Sequence, residues 1–510
     1  MQTVSSRLLQ RKTPEAITRE AGETGMLRSL GPLQLTLLGV GSIIGAGIYV
    51  MTGNAAANYA GPAILLSFVL AGMACVFAAL CYAELASAMP VAGSAYTYAY
   101  ATTGELSAWV IGWLMLLEYG IAGAAVSSGL SGYLASLLAD LGMSVPAWLH
   151  VSMISTVTAP DGQHLVWSGG FNLLAILAIA AVVILLVRGV AESAAVNSVI
   201  VVIKLGVLLL FVLFGIGAIH RANWVPFIPP NQGGFRFGVP GIFRAASVIF
   251  FAYMGFETVS TAGAEARNPQ RDMPRGILAA LLLSTTAYLC VAAVLTGVVP
   301  YQRLGVPDPL AIAVDAMHYP ALALVVKFGA VAGLSSVLLS LTYGQSRIFY
   351  TMARDGLLPS LFGRLHPTRR TPWLGTIMLG VCMAAAAATL PIAIIGDLVS
   401  LGTTASFGIV CVTVMWHRNR FPDAPRPFRV PLGGIRVNGV WIGTVPTLGV
   451  VFCLLMASPL LIDLVGNALH GNMLPLSLLV GYLVLGIAAY IGYGYRHSRL
   501  GRAEPPRAVV

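Results

Sequence analysis

Two glycine-containing interruptions fall midway through long apolar stretches of the sequence. The first is GVGSIIGAGI, residues 39–48, and the second is FFAYMGFE, residues 250–257. Each glycine weakens a helix by about 1 kcal/mol relative to alanine, and backbone groups freed at membrane depth are tolerated only where they line a cavity. Half-helix N-termini present N–H groups to an anion, and half-helix C-terminal carbonyls can hold a cation. The interruptions therefore predict a paired site for a small molecule with both charges, such as an amino acid.

Close packing is the alternative explanation for these glycines. Small residues four positions apart bring membrane helices together, and Gly41 and Gly45 have that spacing. The interruption at a corresponding position of a later stretch favours broken helices over packing alone. The glycines also imitate a dinucleotide-binding loop, but they begin within an apolar stretch instead of after a strand, and no acidic residue follows at the ribose distance. We discard that interpretation.

Two ionisable residues lie within other apolar stretches. Lys204 is about nine residues into the apolar stretch 195–219, and Glu118 is near the middle of the stretch 105–138. Burial disfavours the charged form of a lysine, so Lys204 could exchange a proton near neutral pH, as a proton-coupled step requires. The alternative is a lysine that snorkels to the membrane interface.

The composition requires a membrane to surround these residues. Charged residues make up 9% and hydrophobic residues 57% of 510 positions, against roughly a quarter and a half in soluble proteins. Apolar runs of about 20 residues, enough to cross a bilayer, recur along the chain. We predict about twelve spans, near 32–52, 61–87, 105–138, 171–190, 195–219, 240–264, 275–299, 320–346, 373–390, 393–416, 441–465 and 474–496.

The distribution of positive charge predicts the topology. With the N-terminus in the cytoplasm, most of the 29 lysines and arginines fall in alternate, cytoplasmic segments, as the positive-inside rule requires. An even number of spans follows, with both termini cytoplasmic. The net charge of +10 forms no continuous stripe, so we expect no nucleic-acid partner. The first 30 residues lack the apolar core of a signal peptide, so we expect the first span to be the targeting signal.

Spans one and six run in opposite directions in this topology, as expected of two inverted five-helix repeats. We therefore predict an all-α integral membrane protein. Its parts are a cytoplasmic N-terminal segment (1–30), a first inverted repeat of spans one to five (31–219), a second of spans six to ten (240–416), two additional helices (441–496) and a cytoplasmic tail (497–510).

Several segments together resemble one family, the amino acid–polyamine–organocation superfamily, and within it the bacterial relatives of the cationic amino-acid transporters. The matching segments are GVGSIIGAGIYVMTG (39–53), YAELASAMPVAGSAYTYAYATTGE (82–105), LLEYGIAGA (116–124), FFAYMGFETVSTAGAEARNPQRDMPRGI (250–277), GQSRIFYTMARDGLLP (344–359) and RPFRVPLGG (426–434). They follow the family's order from about residue 30 to 496. The resemblance implies a LeuT-type fold and transport of amino acids by alternating access, in many members with proton symport.

The resemblance also implies how a substrate would bind. It places the carboxylate at backbone N–H groups of Gly45, Ala46 and Gly47, where Ala46 replaces the family's common threonine. It places the ammonium at carbonyls near Ile43 and Ile44 and at those of Phe251, Ala252 and Met254. Phe251 is similar to the family's aromatic gate and Ala122 to a third-span wall of the pocket, with ordinary core packing as the alternative for each.

Three ionisable residues receive roles from the same resemblance. Lys204 matches the fifth-span lysine that occupies the place of a sodium ion in sodium-coupled relatives, which implies that protonated Lys204 bridges spans one and eight. Glu118 is similar to the family's third-span glutamate. It would orient the site or share the proton path, or else hydrogen-bond to the broken first helix. Glu257, often aspartate in the family, would support the site by bonding freed N–H groups as a cap does.

These observations predict a secondary active transporter that imports amino acids across the inner membrane by proton symport. We expect no enzyme activity, no metal and no cofactor besides the coupling proton, because neither a nucleophile with its base nor metal-ligand spacing is visible. The few carboxylates near the interruptions favour neutral, small to medium amino acids. An exchanger and uptake of cationic amino acids remain alternatives on the same fold, and an accessory subunit is left open.

Overall fold

The computed structural model describes residues 28–91, 93–159, 162–189 and 194–502. Most of the predicted N-terminal segment 1–30 and the end of the predicted tail, 503–510, lie outside the described residues. In chain order the helices are α1 (Pro32–Ile43), α2 (Thr52–Ala55), α3 (Ile64–Ala88), α4 (Ser94–Thr102), α5 (Glu105–Met115), α6 (Ala122–Asp140), α7 (Leu173–Val187), α8 (Ala194–Ile216), α9 (Gly238–Ile249), α10 (Thr258–Thr261), α11 (Pro269–Val298), α12 (Pro309–Ala316), α13 (Pro320–Arg354), α14 (Trp373–Thr389), α15 (Ile392–Arg420), α16 (Thr444–Leu469), α17 (Leu474–Ala489), α18 (Tyr495–His497) and α19 (Arg499–Arg502).

Nine stretches of the described residues are long and apolar enough to cross a membrane. The first, Pro32–Ala88, has 57 residues, far more than the roughly 20 that one crossing needs, and it turns at Gly61, where φ is +59°. Two shorter apolar helices, α7 and α14, coincide with predicted spans four and nine. Every predicted span therefore coincides with helical structure, and the chain is a multi-pass membrane protein.

The described residues are mostly helical, as expected of an all-α membrane protein, but two short hairpins outside the spans were not predicted. Two antiparallel hairpins are present, β1 (Ile154–Ala159) with β2 (Gly162–Trp167), and β3 (Gly434–Val437) with β4 (Val440–Gly443). The second hairpin turns at Asn438-Gly439, where both φ angles are positive, +49° and +82°. Asn-Gly favours this turn because both residues tolerate a positive φ.

The two predicted interruptions are confirmed as breaks in helices. Helix α1 ends at Ile43, Ile44 is extended, and a π-helical turn follows from Gly47 to Met51. Helix α9 passes into a 3₁₀ turn, Phe250–Tyr253, after which Met254 is extended and Gly255 has φ +128°. A further π-helical turn, Leu116–Ile121, joins α5 to α6 and was not predicted.

The two breaks pack directly against each other. A Cβ atom on Gly47 would lie 2.3 Å from the Cα of Ala252, and one on Gly255 would lie 2.6 Å from the backbone nitrogen of Ile43. The glycines thus serve two purposes, since they weaken each helix and let the two backbones approach within van der Waals distance.

Neighbouring helices enclose this junction. Helix α11 packs against α1 and α3, and α8 packs against α1, α11 and α13. On the side where α1 begins, Leu30 pairs with Ala266 in a parallel bridge, with hydrogen bonds from Leu30 N–H to Glu265 O and from Arg267 N–H to Leu30 O. The start of α1 and the segment after α10 are therefore joined through their backbones.

Replacing Gly255 by alanine tests the close approach. We expect Gly255→Ala to lower the melting temperature of the purified protein clearly, because a non-glycine residue in this conformation is strained by about 1–3 kcal/mol and its Cβ would strike α1. Gly206→Ala is the matched control, because Gly206 lies in α8 with open space around its Cα and alanine favours a helix by about 1 kcal/mol. Equal melting temperatures for the two variants would contradict the packing described here.

Candidate substrate and coupling site

Lys204 reaches the break in the first span. Its Nζ donates hydrogen bonds to the carbonyl oxygens of Gly41, at 3.0 Å, and Ile44, at 3.4 Å, and its side chain is buried. Helix α8 can approach because a Cβ on Gly41 would lie only 2.6 Å from Val201. A snorkelling lysine would place its ammonium at the interface, so that alternative is wrong.

The opposite side of the Lys204 side chain contacts α13. A Cβ atom on Gly333 would lie 3.3 Å from both Cγ and Cε of Lys204. The lysine stem therefore passes between α1 and α13, the helices of predicted spans one and eight. Its charged end, though, is directed at the carbonyls of the first break, which lack a helical partner because the helix ends there.

Tyr288 joins the two breaks and was missed by the sequence analysis. Its hydroxyl lies 2.7 Å from the carbonyl oxygen of Ile43 in the first break and 2.7 Å from that of Ala252 in the second. A hydroxyl has one proton to donate, so it serves one of these acceptors at a time. The signal in the sequence was a tyrosine midway along an apolar span, where its hydroxyl needs a partner.

Glu257 caps the second break, as expected. Its carboxylate accepts hydrogen bonds from the Gly255 N–H at 2.8 and 3.0 Å and from the Tyr119 hydroxyl at 2.9 Å. Tyr119 belongs to the π-helical turn Leu116–Ile121. The third span is thereby connected to the break in the sixth.

Glu118 lies in the same π-helical turn and is completely buried. Neither of its carboxylate oxygens has a hydrogen-bond partner, so the alternative of a bond to the broken first helix is wrong. The side chain of Gln345 in α13 is also buried without a partner. Unpartnered polar atoms are costly to bury. We therefore expect the carboxyl group of Glu118 to bind a proton or a cationic group.

The remaining predicted site residues surround the junction. After the first break, the first helical hydrogen bond runs from Tyr49 N–H to Gly45 O. The N–H groups of Gly45, Ala46 and Gly47 precede this bond and are available to an anion. Of the predicted ammonium acceptors, Ile43 and Ala252 contact Tyr288, Ile44 contacts Lys204, and the carbonyl of Phe251 accepts from Met254 N–H. Each carbonyl has a second lone pair for a ligand.

The predicted side-chain walls are buried as well. Ala122 begins α6 directly after the π-helical turn, and Phe251 lies in the 3₁₀ turn of the second break. Phe251 therefore lies in the second break itself, and Ala122 follows the turn that contains Glu118. Their roles as gate and wall stay predictions. Among the described residues no group of three or more His, Cys, Asp or Glu side chains is arranged to hold a metal ion.

Comparison with known proteins identifies the family. The sequence pattern of the family described as "Amino acid permease" matches residues 30–485. This chain belongs to the amino acid permease family. The resemblance to the amino acid–polyamine–organocation superfamily and its cationic amino-acid transporters is thereby confirmed.

Three relatives of this permease illustrate the range of the family. A methylthioribose transporter of Bacillus subtilis is 38% identical over 497 residues, 98% of this chain and 100% of the relative. The branched-chain amino acid permease BcaP of the same organism is 38% identical over 489 residues, 96% of this chain and 97% of the relative. Cationic amino acid transporter 4, vacuolar, of Arabidopsis thaliana is 37% identical over 418 residues, 82% of this chain and 68% of the relative.

Tyr288→Phe tests whether the bridging hydroxyl matters to the site. We expect the permease variant to fold, since phenylalanine fills nearly the same space, but to bind substrate at least tenfold more weakly, because both breaks lose a common hydrogen-bonding group. The measurement is substrate-induced thermal stabilisation of the purified protein.

Tyr253→Phe is the matched control for this variant. Tyr253 is also buried, but its hydroxyl donates to the carbonyl of Phe68 in α3 at 2.8 Å and does not join the two breaks. If both variants lost affinity equally, loss of any buried hydroxyl would explain the result and the bridging role would be refuted.

Proposed function

We propose that this permease imports neutral, branched-chain amino acids across the inner membrane as a proton symporter that works by alternating access. The observation that carries the proposal is the junction of two broken helices. N–H groups that could bind a carboxylate and carbonyls that could bind an ammonium lie there beside a buried lysine. It acts as a transporter and not as an enzyme, in keeping with its relatives' names.

Twelve spans arranged as two inverted five-helix repeats and two further helices form the proposed architecture. Its support is the turn at Gly61, which divides the 57-residue stretch Pro32–Ala88 into two crossings, together with the two short helices α7 and α14. Breaks at α1 and after α9 have the same place in the two repeats. Positive charge in alternate loops supports cytoplasmic termini and an inner-membrane location.

Recognition of an amino-acid head group would use both breaks. The carboxylate would accept from the N–H groups of Gly45, Ala46 and Gly47, which begin the outer half of the first span, where the helix dipole also favours an anion. The ammonium would donate to the second lone pair of the carbonyls around Ile43 and Ala252, which the Tyr288 hydroxyl holds in place.

Selectivity would then depend on the side chains at the junction. Phe251, Ala122 and Ala46 supply an apolar surface, which suits an aliphatic substrate. Two relatives are named branched-chain amino acid permeases, from Bacillus subtilis and from Lactococcus lactis, the latter at 34% identity over 468 residues. These two observations support leucine, isoleucine and valine as substrates.

Proton coupling would depend on Lys204. The protonated ammonium makes charge-assisted hydrogen bonds with Gly41 O and Ile44 O, which are roughly twice as strong as neutral ones. Loss of the proton would weaken the attachment of the inner half of the first span to α8 and let it move. The proton cycle is thereby linked to the same break that would bind the substrate carboxylate.

A thioether sugar is a second candidate substrate, because the methylthioribose transporter matches this chain over nearly its full length. That molecule has neither an α-amino group nor a carboxylate.

A competition panel against labelled L-leucine in proteoliposomes separates the candidates. We expect isoleucine and valine to compete, and arginine, lysine and methylthioribose to compete at least tenfold more weakly. Competition by methylthioribose alone would overturn the amino-acid assignment.

Lys204 variants test the coupling. We expect Lys204→Met to lose accumulation of leucine against a gradient when an inward proton gradient is imposed, because the proton-carrying group is gone. Lys204→Arg keeps a charge but does not release its proton, so we expect it to bind leucine without driving accumulation. Uptake should be measured with and without a protonophore, and dependence on internal substrate should be tested in parallel.

Accumulation by Lys204→Met that still follows the proton gradient would refute the coupling role of this lysine. Uptake by the unmodified protein that ignores the proton gradient but requires internal amino acid would instead show an exchanger. The two outcomes are distinct, because the first concerns one residue and the second the transport mode.

A further inference from the structure

The β3–β4 hairpin has one apolar face that is exposed. Its register pairs Ile435 with Ile442 and Val437 with Val440, and side chains that alternate along a strand put these four residues on one side. Ile435, Val437 and Val440 are exposed, with 64%, 45% and 52% of their surface accessible. A water-exposed face of four β-branched aliphatic residues is unfavourable, so this face requires an apolar surface to cover it.

The other face of the hairpin is attached to the transmembrane domain. Trp441 lies on this side, with the Arg418 guanidinium 4.2 Å above its ring. The side chain of Asn419 bonds both backbone groups of Trp441, since it accepts from the N–H at 2.6 Å and donates to the carbonyl at 2.9 Å. Gly434 and Gly443 leave room for the ring, since a Cβ on either would lie under 3 Å from it. The hairpin therefore has a fixed orientation.

The attachment continues into the helices. Arg418 forms an ion pair with Glu84 at the end of α3, donating from Nε to Oε1 at 2.7 Å. The same carboxylate accepts from the backbone N–H of Val430 at 2.7 Å. The loop RPFRVPLGG, which the sequence analysis recognised only as a family motif, is thus fastened to predicted spans two and ten.

Charge around the hairpin has one sign. Residues 416–443 contain five arginines and one aspartate, Asp423, and only Arg418 has an ion-pair partner among the described residues. Arg420, Arg429 and Arg436 are exposed. Burial, together with the charges of Arg418 and Arg429, lowers the pKa of Arg426 in this loop. The surface is therefore complementary to anions.

The hairpin directly precedes a helix that is long and apolar enough to cross a membrane. Strand β4 ends at Gly443 and the apolar helix α16 begins at Thr444. At the end of α15, Trp416 is exposed one turn before Arg420, and tryptophans are enriched where a helix passes the lipid headgroups. The apolar face and the arginines are both within reach of the same bilayer surface.

We propose that the β3–β4 hairpin inserts its apolar face into the adjoining leaflet and that Arg420, Arg429 and Arg436 bind the phosphates of anionic phospholipids there. Apolar contact and cationic contact together are the two signals that hold a segment on a membrane surface. The proposal does not depend on the proposed function or on which side of the membrane this leaflet faces.

Site-specific fluorescence tests the insertion. Single cysteines are placed at Val437 and, as control, at the exposed Asp423, in a background that carries Cys290→Ala and Cys382→Ala, since these two native cysteines are exposed. With an environment-sensitive label and brominated lipids in symmetric vesicles, we expect quenching and a blue shift at position 437 and neither at 423. Equal, water-like spectra at both positions would overturn the insertion.

Charge neutralisation tests the lipid headgroup. We expect the triple variant Arg420→Gln, Arg429→Gln, Arg436→Gln to lose its preference for fluorescent phosphatidylglycerol over phosphatidylcholine by roughly tenfold or more, since each basic residue near a membrane surface contributes several-fold. The matched control neutralises Arg364, Arg369 and Arg370, three exposed arginines of the loop between α13 and α14, and should keep the preference.

An equal loss in both triple variants would show non-specific attraction and overturn the assigned site, and an unchanged preference in both would do the same. Because the readout is lipid binding in symmetric vesicles, it does not depend on transport, on the substrate or on which side of the membrane the loop occupies. Failure of the proposed function would leave this result unaffected.

Discussion

The backbone groups released where helices α1 and α9 end at the two breaks are buried and must find partners within the protein, and the arrangement of the site follows from this constraint. An unpartnered carbonyl or N–H group costs several kcal/mol in a bilayer. Lys204 from α8 serves Gly41 and Ile44, Tyr288 from α11 serves Ile43 and Ala252, and Glu257 serves Gly255. Three side chains thereby hold the breaks open while leaving a few polar groups for a ligand.

The contacts around the breaks are of two kinds, backbone packing that does not depend on protonation and hydrogen bonds that do. The close approach of Gly255 to Ile43 and the backbone pairing of Leu30 with Ala266 join helix α1 to the segment that follows the second break. Lys204, in contrast, contacts the first break through hydrogen bonds whose strength depends on a proton. Under the proposed function, motion would therefore be expected at the contact of α1 with α8 and not between the two broken helices. The β3–β4 hairpin is also attached to the helices through polar side chains, since Arg418 lies over Trp441 and forms an ion pair with Glu84.

Much of this organisation was visible in the sequence because glycine, lysine and glutamate are conspicuous in apolar runs. The breaks, the buried Lys204 and the cap by Glu257 could be predicted for that reason. Tyr288 could not, since a tyrosine in a span packs much as phenylalanine does and only its two carbonyl neighbours reveal its role. Helix α13 continues to Arg354, beyond the predicted end at 346, because hydropathy marks only the apolar part of a helix and residues 347–354 are more polar. The hairpin at Asn438-Gly439 had a clear turn signal, but the search for spans passed over it.

The central claim is that the junction recognises the α-amino and α-carboxyl groups together. Thermal stabilisation of the purified protein by L-leucine, compared with isocaproate, which lacks the amino group, and isoamylamine, which lacks the carboxylate, tests it most directly. The account predicts stabilisation by leucine and little or none by either analogue at the same concentration, because each analogue leaves one set of backbone groups in the breaks without a ligand. Stabilisation by an analogue equal to that by leucine would contradict it.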